Sequence, residues 1–135
     1  EDANTLFKDA MMYKKSFSKE NRITAIKRLE KLMATYPDSD KVGDAAFEIA
    51  EIYAGSYFHD YESSAKHYIK SYQLNPYIQQ PALLRAAEMY DKMLTDYERA
   101  KAIYRQAALY GSDAKSRKKA QDRLSVLEQG TADKK

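Results

Sequence analysis

Cysteine and tryptophan are absent from this 135-residue chain, which holds only four glycines, three prolines and two histidines. Without cysteine there are no disulfides, no thiolate nucleophiles and no thiolate metal ligands, and the compartment is left open. Gly43, Gly55, Gly111 and Gly130 stand apart from one another, so no glycine-rich phosphate loop can be built. His59 and His67 have no clustered carboxylates with which to form a metal site. Ser63 and Ser64 sit inside a packing pattern, with no visible base to activate a nucleophile. Apolar runs long enough to span a bilayer are missing too. These absences argue against catalysis, and neither a metal nor a cofactor is expected. The net charge is +3, spread over mixed signs, which argues against a polyanionic nucleic-acid partner.

What the chain does have is repetition. Ala10-Met11-Met12-Tyr13 returns as Ala50-Glu51-Ile52-Tyr53 and as Ala87-Glu88-Met89-Tyr90. Each copy is followed by a second spaced set: Ala25, Leu29, Leu32, Pro37; then Ser64, Tyr68, Ser71, Pro76; then Ala100, Tyr104, Ala107, Ser112. The internal offsets are four, three and five in every set. Residues three and four apart share a helix face, so each set is a stripe in which a small residue admits a neighbouring helix and a large one fills the adjoining space. Pro37 and Pro76 stop their helices by removing a donor and crowding the preceding turn, and Gly111 stands at the same place in the third unit. A repeat period of roughly 34 to 40 residues marks a helical array.

The pattern predicts seven helices, near residues 3–15, 19–35, 40–54, 60–74, 79–93, 97–110 and 113–128, in a single domain over 1–128. Asp38 or Ser39 is expected to cap the third, and Pro81 to open the fifth. The last helix has one apolar stripe, Ala120, Leu124 and Leu127. Lys115, Arg117, Lys118, Lys119 and Arg123 cover the rest, as a terminal capping helix requires. Residues 129–135 are expected to be a disordered tail. Met12 and Met89 share the repeat position of Ile52 and are expected to fill the core. Seven of the 12 tyrosines fall on repeat positions, so a tyrosine-rich core is expected in place of a special aromatic site.

With these residues in view, the chain resembles the tetratricopeptide repeat family over residues 3 to 112. Tyr61, Ser64, Tyr68, Ser71 and Pro76 fit the second half of the family pattern without a gap, as do Tyr97, Ala100, Tyr104 and Ala107. The first unit departs from it, with Arg22 where an aromatic is expected. The gap between the tyrosine of each first helix and the small residue of the second exceeds the family's by three, two and one residues in turn, an excess expected to fall in loops. The resemblance implies an all-α, helical-hairpin solenoid of three repeats, about 3–37, 40–76 and 79–112, plus the capping helix at 113–128.

It also implies a function in binding protein or peptide partners through a groove lined by the first helix of each unit. The groove residues would be Asn4, Phe7, Lys8, Met11, Lys14 and Lys15; Asp44, Phe47, Glu48, Glu51 and Ala54; and Leu84, Arg85, Glu88, Asp91 and Lys92. Phe7, Phe47 and Leu84 would anchor an extended or helical segment carrying an apolar and a basic residue. Alternatively these three pack between helices and the charges are solvated. Members that grip a C-terminal carboxylate use Lys and Asn where this chain has Phe7, Met11, Phe47, Glu51, Leu84 and Glu88, so that subtype is disfavoured. Tyr57 and Phe58, in the loop Gly55–Asp60, are candidate contacts unless they tuck beneath the turn. Self-association, as an oligomerisation module, and anionic-surface or nucleic-acid contact through the basic last helix are the other functional readings.

Tyr36-Pro37-Asp38-Ser39, followed by Asp44 to Ala50, resembles repeats of bacterial cell-envelope members that assist envelope assembly. This implies a periplasmic or outer-membrane-associated location, with the cytoplasm as the alternative. A start at Glu1 in place of methionine is expected of a processed protein or of a piece of a longer one.

Overall fold

The computed structural model describes residues 1–133, with side chains through Gly130. Every regular element among them is helical: α1 (Ala3–Lys14), α2 (Lys19–Thr35), α3 (Val42–Ala54), α4 (Tyr61–Leu74), α5 (Ala82–Glu88), α6 (Tyr97–Tyr110) and α7 (Ala114–Asp133). A π-helical turn, Met89–Met93, continues α5. Each helix packs mainly on its neighbours in the chain, α1 on α2, α2 on α3 and so on to α6 on α7. None of the described helices is long and apolar enough to cross a membrane.

The recurring positions of the sequence are the core. Ala10, Ala50 and Ala87 are fully buried, and so are Ala25, Ser64 and Ala100. Leu29, Tyr68 and Tyr104 fill the space beside them, with Leu32, Ser71 and Ala107 one turn later. One apolar cluster joins α1, α2 and α3; a second joins α3, α4 and α5; a third runs from α4 to α7. The two buried serines keep their hydroxyls satisfied across the α3–α4 contact: Ser64 Oγ donates to the Ala50 carbonyl and Ser71 Oγ to the Gly43 carbonyl, each at 2.7 Å. Approach is close enough there that a Cβ on Gly43 would lie 2.7 Å from the Asn75 Cβ.

Local signals set the ends. Ser18, Asp60 and Asp96 cap α2, α4 and α6 by accepting from the N–H groups of Asn21, Ser63 and Arg99. The turns before α4 and α6 are alike. His59 and Thr95 both have φ 49°, and the next residues, Asp60 and Asp96, donate their N–H groups to the carbonyls of Tyr53 and Tyr90 at 2.8 Å. Tyr36 and Asn75, which precede the prolines, leave the helical region as that position demands. Gly111 ends α6 without a left-handed turn; glycine is needed for space, because a Cβ would sit 2.6 Å from the Ala107 carbonyl oxygen.

Five expectations are corrected. The third helix starts at Val42 after Lys41, and Ser39 Oγ accepts from the Lys41 N–H in place of capping the helix. Pro81 is the residue before α5 and not in its first turn. The one-residue excess of the third unit lies inside the helix and not in a loop: Leu94 N–H reaches back five residues to the Met89 carbonyl at 3.0 Å, a π-type bond that absorbs one extra residue without ending the helix. Met12 is exposed, unlike Ile52. Ile52 is covered by α1 and α2, whereas no described helix lies on the corresponding face of α1. Finally, α7 runs on to Asp133, through Gly130, since glycine in a helix costs only about 1 kcal/mol. Lys134 and Lys135, the end of the expected tail, lie outside the described residues.

Candidate functional site

The residues predicted to line a groove come from α1, α3 and α5, and a line of charges crosses these three helices. Lys14 on α1 bonds Glu48 on α3, with its Nζ 3.7 Å from Glu51. Arg85 on α5 approaches Glu51 from the other side at 3.5 Å. Tyr68, rising from α4, donates its hydroxyl to Glu51 at 3.0 Å. Glu51 is therefore the centre of the strip, held by a lysine, an arginine and a phenol. Burial raises the Tyr68 phenol, and the Glu51 carboxylate beside it raises it further, so the hydroxyl stays a donor. Glu88 pairs with Lys92, one turn on, at 3.7 Å.

The apolar anchors are not presented. Phe47 is buried edge-to-face against Tyr68, with ring centroids 5.1 Å apart, and Leu84 is buried in the cluster of α4 to α7. Phe7 and Met11 are half-buried against the first cluster, with the Lys41 ammonium 5.3 Å from the Phe7 ring centroid. Each of these side chains packs into an interhelical cluster, because a large apolar side chain facing a neighbouring helix is drawn into the contact.

Asp91 also leaves the expected groove. It is 2% exposed and bound by Arg123 of α7, Nε to Oδ2 at 2.7 Å and Nη2 to Oδ1 at 2.9 Å. Tyr104 completes the set, donating to Oδ2 at 2.8 Å. Burial pushes the Asp91 carboxyl up, but the Arg123 and Tyr104 hydrogen bonds outweigh it and hold the group below the ordinary carboxylate range. Arg123 is thus a structural partner and not part of a free basic run, and Arg117 Nη1 is occupied by the Gly111 carbonyl at 2.9 Å.

What remains available on the α1–α3–α5 face is polar. Asn4, Lys8 and Lys92 are exposed, as is Arg85 beyond its contact with Glu51, and Lys15 and Ala54 lie at the helix ends. Lys8 makes no ion pair among the described residues. Asp44 is half-exposed and likewise unpaired; burial raises its carboxyl, with Lys41 opposing.

The loop aromatics are engaged within the chain. Phe58 packs edge-to-face on Tyr53 at 5.8 Å, and the Arg22 guanidinium lies 5.4 Å from the Tyr57 ring centroid. Arg22, standing where an aromatic is expected in the first unit, thus meets an aromatic from the second. Both histidines are tied locally, His59 Nδ1 to the Tyr61 hydroxyl and His67 Nδ1 to the Ser63 carbonyl, each at 2.8 Å. Among the described residues no group of three or more histidines and carboxylates converges as a metal site.

Sequence reasoning missed the two phenol–carboxylate bonds. Tyr68 and Tyr104 occupy the same repeat position, and each has a carboxylate on the preceding helix, a pairing visible as Glu51/Tyr68 and Asp91/Tyr104. The first unit has Leu29 there and no such bond. No family model and no curated protein matches the chain.

Proposed function

We propose that this chain is a tetratricopeptide-like protein–protein interaction module, an array of three helical hairpins closed by α7, that binds a partner segment along the α1–α3–α5 face. The identical offsets of the three units support it, as does burial of their small residues in chain-ordered helix contacts. The observation that carries the binding face is a pair of charges, Lys8 and Asp44, that make no ion-pair contact among the described residues, although Lys41 acts on Asp44 from a distance. With Phe47 and Leu84 consumed by the core, recognition there is electrostatic, reading a segment that carries both an acidic and a basic residue. The module has no catalytic role in this proposal. We assign it to the bacterial cell envelope on the resemblance alone.

The test is peptide selection from a random library against the intact chain, with the hits mapped by amide chemical shifts. Selected peptides should perturb α1, α3 and α5. They should lose affinity by about tenfold or more in a Lys8→Glu/Asp44→Lys variant that retains its helical circular dichroism. The proposal is overturned if no hit maps to α1, α3 and α5, or if the hits that do so bind the variant unchanged.

A further inference from the structure

A second surface lies where the C-terminal ends of α4 and α6 come together. Tyr72, Pro76, Tyr77, Leu109, Tyr110 and Ser112 enclose an open cleft of ≈ 420 Å³, and no charged side chain lines it. Its apolar rim stands in water: Tyr77 is 90% exposed, Leu109 69% and Tyr110 59%. The hydroxyls of Tyr72, Tyr77 and Tyr110 have no hydrogen-bond partner among the described residues. Exposed large side chains gathered in this way are an interaction signal, whereas the singly exposed Phe17 is not.

Size and charge decide the occupant. The three rim side chains leave about 400 Å² in water. A stable pair of copies needs about 800 Å² from each partner, so the patch is too small to hold a second copy of the chain. It suits a short segment. No charged side chain lines it, so a charged residue seated there finds no ion-pair partner, and an uncharged segment is favoured. It offers flat phenol faces and free hydroxyl donors. A polyproline II segment has the complementary chemistry: a stiff apolar ridge with no internal hydrogen bonds, whose carbonyls are all free to accept.

We propose that the α4–α6 cleft is a docking site for an uncharged, proline-rich segment of a partner protein in the polyproline II conformation. The tyrosine rings pack on its pyrrolidines and their hydroxyls donate to its carbonyls. The cleft shares no residue with Lys8 or Asp44, so it holds or fails independently of the function proposed above.

The probe is a synthetic ten-residue proline peptide titrated into the intact chain, with an alanine–glutamine peptide of equal length as control. Saturable micromolar to submillimolar binding is expected, with amide shifts confined to residues 72–78 and 109–112 and none from the control. A Tyr77→Ala/Tyr110→Ala variant, both positions exposed and so compatible with the fold, should bind at least about tenfold more weakly. The proposal is overturned if the proline peptide does not saturate, if its shifts fall elsewhere on the wild-type chain, or if the variant binds it equally well. It is also overturned if sedimentation shows a concentration-dependent dimer that the variant abolishes, since a second copy would then be the occupant.

Discussion

Arg123→Ala tests the ion pair by which α7 holds the buried Asp91. Asp91 is 2% exposed and receives two N–H bonds from Arg123 and one hydroxyl bond from Tyr104. Removing one partner of a buried ion pair costs about 3–5 kcal/mol, because a charge is left stranded. The side chain of Arg123 is 38% exposed, so water can enter as the guanidinium leaves and part of the loss is recovered. The net expectation is about 2–3 kcal/mol. At roughly 3–5 °C per kcal/mol for a chain of this size, the melting temperature should fall by about 10 °C. Thermal circular dichroism at pH 7 measures it, and a double-mutant cycle with Asp91→Asn isolates the pair.

The pH dependence has a definite sign. The folded Asp91 carboxyl titrates below its ordinary value of 3.8, so its contribution is fully present above that value and is lost as pH falls through the lower folded one. The gap between wild type and Arg123→Ala should therefore narrow in the acid range below 3.8. A melting-temperature change under about 2 °C at pH 7, or a gap that widens in acid, would refute the reasoning.

Other substitutions probe separate parts of the account. Gly43→Ala should lower stability by about 1–2 kcal/mol in urea unfolding, despite alanine's better helix propensity, because the new Cβ meets Asn75 Cβ at 2.7 Å. Thr95→Gly should raise the melting temperature, by an amount corresponding to about 1 kcal/mol, since Thr95 sits at φ 49° where a β-branched residue is strained. Tyr104→Phe should cost about 1–2 kcal/mol in the same urea assay, the price of one hydrogen bond withdrawn from a buried carboxylate. Ser64→Ala should be milder, about 1 kcal/mol by chemical denaturation, because the Ala50 carbonyl is helical and Ala25 and Ala100 already occupy the matching position in the other units.

The helices were legible because their signals are local and periodic. Small residues at 10, 50 and 87 and at 25, 64 and 100 can be buried only where two helices approach closely, and all six are. Pro37 and Pro76 mark helix ends by chemistry that acts on the residue before them, whereas the caps Ser18 and Asp60 were not picked out from the sequence. The site was less legible, because its fate depends on what lies across from each side chain. Phe47 and Leu84 look like ligand anchors on a helix taken alone, and become core once α4 lies against them. Asp91 was hidden twice over. The π turn alters the register that assigned it to the groove, and its partner, Arg123, is 32 residues away. Met12 misled in the opposite direction, since its repeat position promises burial that only a covering helix can supply.

Site-specific photocrosslinking bears most directly on the claim that the α1–α3–α5 face binds a partner. A photoreactive phenylalanine would be placed at Lys8, and in a second protein at Arg85, with exposed Lys27 on α2 and Lys66 on α4 as comparison sites. Illumination with a selected partner peptide should give adducts from positions 8 and 85 and none from 27 and 66. Adducts from 27 or 66, with none from 8 or 85, would contradict it.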